Sequence, residues 1–556
     1  MLIYVALPPH DQWWCAWFAL VPLLLAIRHS SVREAALLGL LAGSVENFVA
    51  FFWITELILE YSELGVASYL VMAIMGLYQG VPLMLWCAFL RTRFERKNSS
   101  FLGALGLLCS ALSFPVIEFF YPIVFPWYLA HTQHTRPDMM GIVELAGCGG
   151  LSLAIVVVNL AVARLLVAED STQGEKLWPR PFTRKGKAGL IAIGIATFLG
   201  CWGFSVVRNA EIEKLMQQAD SLEIGLVQPN HWIKGVTPVE ALHDYQRLSL
   251  DMVREADKAG KPLDLLMWPE SAVRTPAPRF VSSRGESDDS DTVRFPMDLL
   301  QILPGLTEPA ATLAEERVPR WELLSIQRGH SVPILFGSTL QDWDPAVKGP
   351  MPGRPPLFNC GVMIDSTGSV VGIAPKVKLL LFGETIPFSS YFPQVYQILP
   401  LASALIPGTE AVVIDYKGAR LGMMICYEDL LPDFHFELAK KNPQVLLNLT
   451  NDSWFGKTVE PEAHLALSKF RTVEGRTYLV RSTPSGVSCF VDATGEVVGR
   501  IGVDEVGTLQ HSVPLLDIET GFERFGDSVV WLGLFLVLLH LGLNRKPGTP
   551  TTESAE

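Results

Sequence analysis

The chain has 556 residues, of which 49% are hydrophobic and only 18% are charged, and its formal net charge is −13. Its mean hydropathy of +0.30 is too high for a soluble protein of this length, so we expect part of it to lie in a lipid bilayer. The acidic balance and the lack of a basic stripe exclude nucleic acid as a partner.

Apolar segments of roughly the length needed to cross a 30 Å hydrocarbon layer occur near both ends of the chain. They lie near residues 12–27, 35–55, 66–90, 101–121, 141–168, 188–207 and 528–543. The sequence therefore predicts four parts. These are a transmembrane bundle of about six spans (1–207), a globular domain (208–526), a last transmembrane helix (527–544) and a short tail (545–556).

Basic residues concentrate in alternate loops of the predicted bundle. They are Arg28 and Arg33, then Arg91, Arg93, Arg96 and Lys97, then Lys176, Arg180, Arg184, Lys185 and Lys187. Because such loops stay on the cytoplasmic side, residues 208–526 are predicted to face outward and the tail to return inside. Glu46, Glu118 and Glu144 lie in or near apolar spans, where an acid either lines a cavity or bonds one helix to another.

The globular segment alternates strand-like and helical patterns, which predicts an α/β layered domain. The strand-like runs are "SLEIGLVQ", "LDLLMWP", "VPILFGST", "NCGVMID", "RLGMMICY", "QVLLNLT" and "GVSCFVDATGEVVG". Helical or turn-rich stretches such as "EALHDYQRLSLDMVREADKAG" and "EAHLALSKFRTVEGRTYLV" separate them. Residues 274–328 are rich in Pro, Ser and Asp, and we interpret them as an exposed loop and a hypothetical lid.

Cysteine usage indicates no metal site, because neither CxxC nor Cys/His ligand spacing is present, and no cofactor is indicated. Only Cys360, Cys426 and Cys489 belong to the globular domain. A disulfide between Cys360 and Cys489 is one alternative in an oxidising compartment, whereas a reactive Cys426 must remain free.

Cys426 ends an apolar strand just before a helical pattern, at "GMMICYED". Backbone N–H groups and the positive end of a helix at such an elbow favour the thiolate, which is the reactive form. Glu270 follows the strand of "LLMWPES", and we expect it on the same edge of a parallel sheet. There it can accept the thiol proton and later a proton from an amine.

Lys376 supplies a cation that can stabilise a tetrahedral oxyanion, together with the backbone N–H of Tyr427. Glu384, eight residues further on, can hold Lys376 charged and oriented. Taken singly, a Glu or Lys after a strand is more often a solvated loop residue, and a Cys ending an apolar run is more often buried core. The combination is what indicates an active site.

Four motifs carry a resemblance to the nitrilase superfamily: "WPES", "KVKLLLFGETIPF", "ICYED" and "NLTNDSWFG" with the helical run after it. With helices such as "PPHDQWWCAWFALVPLL" and "IVELAGCGGLSLAIVVVN", the chain resembles the apolipoprotein N-acyltransferase family from about Leu7 to Leu543. By that resemblance we expect the family's first helix to be absent or cut at Met1; the alternative is that the amino terminus is truly external.

The resemblance implies an αββα sandwich inserted before the last transmembrane helix, on the periplasmic side of a bacterial inner membrane. It also implies a cysteine thioester reaction, with phospholipid as acyl donor and diacylglyceryl-modified apolipoproteins as acceptors, in a monomer without cofactor. Glu270 is then the general base, Lys376 the oxyanion stabiliser and Cys426 the nucleophile. The implied supporting and substrate-binding residues are Glu384, Tyr427, Glu428 and Trp232.

Two other functions stay open at this point. A membrane-tethered amidase or nitrilase-type hydrolase would use the same residues but release its product to water. A non-catalytic membrane scaffold would not depend on Cys426.

Overall fold

The computed structural model describes the chain in segments separated by gaps. They are residues 1–61, 65–94, 100–123, 125–167, 184–232, 235–273, 279–280, 326–342, 349, 356–386, 389, 391–392, 394 and 403–543. Most of the predicted loop 274–328 and the whole predicted tail 545–556 lie outside the described residues.

Fifteen α-helices are found in the described segments. They are α1 (Leu2–Val5), α2 (Val21–Ala26), α3 (Val32–Ala50), α4 (Trp53–Tyr61), α5 (Ala67–Phe94), α6 (Ser100–Phe120), α7 (Pro137–Met140), α8 (Val143–Leu165), α9 (Arg184–Gln218), α10 (Pro238–Lys258), α11 (Pro432–Ala439), α12 (Glu460–Ser468), α13 (Phe470–Gly475), α14 (Gly521–Phe525) and α15 (Ser528–Leu543). Short 3₁₀ helices include Trp13–Phe18, Leu129–Gln133, Cys426–Leu430 and Asp452–Phe455.

Thirteen β-strands are described, all between the long helix α9 and the last helix α15. They are β1 (Ser221–Gln228), β2 (Leu265–Met267), β3 (Arg279–Phe280), β4 (Ile334–Asp342), β5 (Leu357–Ile364), β6 (Val370–Pro375), β7 (Val413–Tyr416), β8 (Ala419–Ile425), β9 (Val445–Leu449), β10 (Tyr478–Ser482), β11 (Ser488–Val491), β12 (Val497–Ile501) and β13 (Gly507–Pro514).

Helices of membrane-spanning length and composition lie in the amino-terminal half. Among the described residues, three qualify singly: Ala67–Thr92, Val143–Leu165 and Gly186–Gln218. Helices α3 and α4 qualify together as one span bent by 59°, and three shorter apolar helices cover Trp13–His29, Leu108–Phe120 and Ser528–Leu543. All seven predicted apolar segments are thus helical, whereas the count of about six amino-terminal spans stays a prediction.

The globular domain is built on two mixed sheets. The first has the order β13-β1-β2-β4-β5-β6, with β3 paired to β4, and the second has the order β12-β11-β10-β9-β8-β7. In each sheet the central strands run parallel, β1-β2-β4 in the first and β8-β9-β10 in the second. Antiparallel strands flank these centres, so side chains that follow the parallel strands emerge at one end of each sheet.

The two sheets pack face to face, and helices cover their outer sides. The shared core joins Leu226 and Met267 of the first sheet to Met423 and Leu447 of the second. Alternate residues of the strands point the other way, as the two-residue period requires. Helix α10 packs on the outer face of the first sheet, and α11 and α12 pack on that of the second. The predicted αββα sandwich is therefore confirmed.

Helix α13 of the globular domain packs into the core of the helical bundle through Phe470 and Val473. The next residue after its end, Arg476, is fully buried, and its Nε lies 2.8 Å from Glu144 Oε2 at the start of α8. Glu144 also accepts from Arg208 at 2.8 Å. For this acid the structure favours pairing between elements, one of the two alternatives left open by the sequence.

One of the predicted helical or turn-rich stretches also contains a strand. The run from Glu462 to Val480 covers most of α12, a short break, α13 and then the first residues of β10. The helix ends where Arg476 takes a left-handed conformation with φ of 48°, and Tyr478 begins pairing with Val445. Pairing with β9 inside the sheet therefore overrides the helical pattern of the local sequence.

Candidate active site

Glu270, Lys376 and Cys426 each follow the end of a strand. Lys376 and Cys426 come directly after β6 and β8, and Glu270 comes three residues after β2. The expectation that Glu270 and Cys426 share one sheet edge is wrong, because β2 belongs to the first sheet and β8 to the second. The site instead lies where the strand ends of the two facing sheets meet.

Cys426 is held in a strained backbone conformation. Its φ is 52°, in the left-handed region, where a residue with a side chain costs about 1–2 kcal/mol. It opens the 3₁₀ turn Cys426–Leu430, and its carbonyl accepts a hydrogen bond from Asn448 Nδ2 at 3.2 Å. The predicted elbow is thus present, with a 3₁₀ turn at the position of the expected helix start.

The ammonium of Lys376 lies between two carboxyl groups. Its Nζ is 2.7 Å from Glu384 Oε2 and 3.7 Å from Glu270 Oε1, and its side chain is only 1% exposed. Glu384 Oε2 also accepts from the backbone N–H of Leu380 at 2.8 Å. The structure therefore brings Glu270, Lys376 and Glu384 into contact, in the arrangement that their predicted roles require.

Asn359 is a member of the site that sequence reasoning missed. It lies on β5, and its Nδ2 donates to Glu270 Oε1 at 2.6 Å and to Glu384 Oε1 at 3.0 Å. One amide thus holds both carboxyl groups on either side of Lys376. The available signal was a polar residue inside the apolar run "LFNCGVMI", since a buried amide needs partners.

The electrostatics contradict the expectation of a resting thiolate. Burial, followed by the neighbouring Glu270, raises the pKa of the Cys426 thiol to about 12. Burial also raises the pKa of Glu270, although Lys376 opposes that change, and the Cys426 thiol is hydrogen-bonded to Glu270. The thiol is therefore protonated in the resting site, and Glu270 is placed to remove its proton as the sulfur attacks.

Lys376 remains a cation despite its burial. Desolvation lowers its pKa, but the neighbouring carboxyl groups of Glu384 and Glu270 raise it by more, so the pKa lies above the ordinary lysine value. A buried ammonium with two adjacent carboxyl groups is a fixed positive charge. It can stabilise negative charge that develops on a bound carbonyl oxygen.

Glu428 fastens the nucleophile turn to the lysine segment. Its Oε1 accepts from the backbone N–H groups of Val377 and Lys378 at 2.6 and 3.0 Å, and its Oε2 accepts from that of Ile425 at 2.8 Å. Burial raises the pKa of Glu428 to about 7. Tyr427, beside it, is half-buried against the cluster of Leu430, Ala466 and Leu467.

The remaining predicted site residue, Trp232, is half-buried beyond the end of β1, and its role in substrate binding stays a prediction.

The turn that carries Glu270 is packed tightly against β4. A Cβ on Gly337 would lie 2.5 Å from the Glu270 Cα and 2.7 Å from the Pro269 carbonyl oxygen. Only glycine fits there without displacing the base.

The alternative of a disulfide in the globular domain is wrong. Cys360 and Cys489 are both free and buried. Cys360 lies on β5 in the core beneath α10, and Cys489 lies on β11 in the core beneath α11. The two sulfurs are therefore on opposite outer faces of the sandwich.

Two family models match separate parts of the chain. The amino-terminal domain of apolipoprotein N-acyltransferase matches residues 1–161, and carbon-nitrogen hydrolase matches residues 224–520. The chain is 27% identical to the apolipoprotein N-acyltransferase of Geobacter metallireducens, over 93% of this chain and 88% of that one. It is 27% identical to that of Bdellovibrio bacteriovorus, over 96% and 90% of the two chains.

Among solved structures, an amidase from Nesterenkonia sp. matches 53% of this chain and 91% of its own, with 18% identity and a TM-score of 0.33. The hydrolase match spans both sheets and contains Glu270, Lys376, Glu384 and Cys426. The chain belongs to the carbon-nitrogen hydrolase family, and it joins that domain to an amino-terminal domain of the apolipoprotein N-acyltransferase type.

Proposed function

We propose that this protein moves an acyl chain from a phospholipid to the α-amine of a diacylglyceryl-modified lipoprotein cysteine, through a thioester on Cys426. The observation that carries the proposal is the convergence of Glu270, Lys376, Glu384 and Cys426 in one buried site. The relatives that match over most of the chain are named for this activity.

In the first step, the Cys426 sulfur attacks the ester carbonyl of the phospholipid while Glu270 accepts the thiol proton. The carbonyl oxygen becomes an oxyanion beside the Lys376 ammonium and the backbone N–H of Tyr427. When the tetrahedral intermediate collapses, the carbon–oxygen bond breaks and Glu270 returns the proton to the leaving alcohol. The products are a thioester and a lysophospholipid.

In the second step, the lipoprotein amine attacks the thioester carbonyl. Glu270 accepts a proton from the nitrogen, and Lys376 again faces the oxyanion. Collapse breaks the carbon–sulfur bond, the proton returns to the sulfur of Cys426, and an amide is formed. Glu384 and Asn359 keep the ammonium and the base in place through both steps.

Exposed apolar side chains close to the lysine motif support a lipid as the substrate. Leu381 and Phe382 precede Glu384 and are 44% and 54% exposed, and Tyr391 and Phe392 follow it at 78% and 66%. Exposed apolar side chains grouped along the chain next to site residues suit a surface that meets lipid or another apolar ligand. A hydrolase acting on small soluble amides has no use for it.

We place the globular domain on the periplasmic side of the bacterial inner membrane, with the protein as a monomer. The support for this orientation is the concentration of Lys and Arg in alternate loops between apolar segments. A domain held between flanking spans stays at the membrane surface, within reach of lipid-anchored substrates.

The test is mass spectrometry of the purified full-length protein after incubation with phospholipid. We expect an added acyl mass that hydroxylamine removes, that is absent from Cys426→Ala, and that decays faster with a diacylated lipopeptide than in buffer. Cys489→Ala is the matched control, because this thiol is also buried in the globular domain but lies in another core.

Three outcomes would contradict the proposal. Decay at the same rate in buffer as with lipopeptide would indicate a membrane-tethered hydrolase. Full lipopeptide acylation by Cys426→Ala would remove the nucleophile from the reaction. The absence of an adduct in the unmodified protein would indicate a non-catalytic role.

A further inference from the structure

A closed ring of four charged side chains lies buried beneath the nucleophile turn. His464 Nε2 is 2.7 Å from Asp429 Oδ1, and His464 Nδ1 is 3.3 Å from Asp452 Oδ1. Arg481 closes the ring, with Nη1 2.6 Å from Asp429 Oδ2 and Nη2 3.1 Å from Asp452 Oδ1. We call these four residues the ionic ring.

The ionic ring joins four separate elements around Cys426. Asp429 belongs to the 3₁₀ turn that Cys426 opens, and Asp452 opens the turn Asp452–Phe455. His464 lies on α12 and Arg481 on β10. Arg481 Nη1 also donates to Asn448 Oδ1 of β9 at 3.4 Å, and Asn448 Nδ2 donates to the Cys426 carbonyl. The ring therefore determines where the nucleophile turn sits.

The ring is sealed from solvent, so its charges must balance internally. The four side chains are between 0% and 3% exposed. Two carboxylates facing one guanidinium leave one negative charge uncompensated, and an unpaired buried charge is strongly destabilising. A second cation is therefore required. The His464 imidazole contacts both carboxyl groups, so it is the group that can supply this charge.

The titration behaviour of these groups agrees with that requirement. Burial and Arg481 lower the pKa of His464, but Asp429 and Asp452 raise it by more, so it lies well above the ordinary histidine value. Burial raises the pKa of Glu460, whose Oε1 is 3.5 Å from His464 Nδ1, to about 7. Asp452 has a lowered pKa, because Arg481 and His464 outweigh its burial.

We propose that His464 is a positioning residue that acts as an imidazolium. It completes the ionic ring, holds the turn bearing Cys426 in its left-handed conformation, and keeps the ring, which includes Asp429 of that turn, from carrying a net negative charge. The proposal rests on the proposed function only for the identity of the acyl donor. Attack by the Cys426 sulfur on any electrophile needs the same turn.

A divalent cation is the competing occupant of this place. Asp452, Glu460 and His464 offer ligand atoms that all lie within 4.8 Å of one another. The structure favours the proton, because Arg481 already contacts both carboxylate oxygens of Asp452 at 3.1 Å. A metal ion on the same carboxylate would stand next to that guanidinium, and the two cations would repel.

The test compares His464→Gln with the double variant Asp429→Asn plus His464→Gln. The single variant removes the positive charge and leaves both carboxylates facing one arginine. The double variant removes one charge of each sign, and the amide introduced at 429 can both accept from Arg481 and donate to the amide at 464. The matched control is His435→Gln, because His435 is equally buried but lies on α11, outside the ring.

Two rates are measured for each variant, together with thermal unfolding. One is alkylation of Cys426 by iodoacetamide, which needs no lipid, and the other is acylation by phospholipid. We expect His464→Gln to lower both rate constants at least tenfold, with KM for phospholipid within twofold of the unmodified protein. The rate constants of the double variant should return to within threefold of those of the unmodified protein, and those of His435→Gln should stay within twofold.

If His464 had a merely structural role, the rate constants of both ring variants would fall in proportion to their unfolding temperatures, and the double variant would not recover. That result would overturn the proposal. Metal analysis of the purified protein adds a second check. If the unmodified protein holds one equivalent of a divalent ion and His464→Gln does not, the site binds a metal and the imidazolium proposal is overturned. If the unmodified protein alkylates but gains no acyl group, the proposed function fails while the alkylation rates still decide the role of His464.

Discussion

Replacing Asn359 by leucine should slow acylation of Cys426 by about 100-fold, an effect on the rate beyond its effect on stability. The side-chain amide donates at 2.6 Å to Glu270 and at 3.0 Å to Glu384, and a hydrogen bond to a charged group contributes about 1.5–3 kcal/mol. Loss of the bond to the base alone corresponds to roughly 10- to 150-fold in rate. Release of Glu384, which orients Lys376, places the expected effect near the upper end.

The stability of the same variant separates this explanation from simple unfolding. Within the described part of the chain, the Asn359 Oδ1 atom is buried without a hydrogen-bond partner. Leucine removes that unsatisfied atom and keeps a similar volume, but it leaves one buried oxygen each of Glu270 and Glu384 without this donor. We therefore expect the free energy of unfolding to fall by about 1–3 kcal/mol, a loss that thermal unfolding measures separately from the rate.

The assay is rapid-quench mass spectrometry of the acyl adduct, run beside thermal unfolding in the same detergent. Asn359→Ser, which keeps one short donor, is the companion variant. Its acylation rate should fall between those of Asn359→Leu and the unmodified protein. Acylation by Asn359→Leu within threefold of the unmodified protein would refute the role given to this amide. So would a loss of rate that follows the loss of folded protein.

Three further predictions follow from other contacts. Because Glu270 must be unprotonated to accept the thiol proton and burial raises its pKa, the acid limb of the kcat/KM profile for acylation should lie above the ordinary glutamate value of about 4.3, and a limb at that value would contradict this. Arg476→Met should lower stability by about 2–3 kcal/mol, measured by thermal unfolding, and by more than Arg208→Met, whose side chain is 21% exposed; equal losses would count against it. Gly337→Ala should lower acylation more than tenfold by displacing Glu270, whereas Gly203→Ala, which meets no atom within 4 Å, should not; normal acylation by the first variant would disprove the contact.

The sequence predicted the central strands except β10, and it missed the flanking strands β6, β7 and β13, for a physical reason. The run "SLEIGLVQ" coincides with β1, because a strand buried inside a sandwich is a short continuous apolar run. Strands β6, β7 and β13 are half-exposed along much of their length, so their hydrophobic pattern is weak. Strand β10 was hidden because it carries the buried Arg481 and follows directly on a helical run.

The site was predictable residue by residue but not in its arrangement. Glu270, Lys376 and Cys426 were recognisable because each ends an apolar run at a position where a charged or reactive group is unusual. Their distribution over two sheets depends on how the sheets face each other, which no local pattern contains. The raised pKa of Cys426 has the same origin, since it arises from burial by distant segments rather than from the turn itself.

The buried pairing of Arg476 with Glu144 has a practical consequence for anyone who wishes to study the catalytic half alone. A fragment beginning at residue 208 would expose the apolar side chains of Phe470 and Val473. It would also leave the Arg476 guanidinium without the Glu144 carboxylate. Such a fragment should aggregate rather than crystallise. Inhibitor screening and structural work therefore need the intact polypeptide in detergent or nanodiscs.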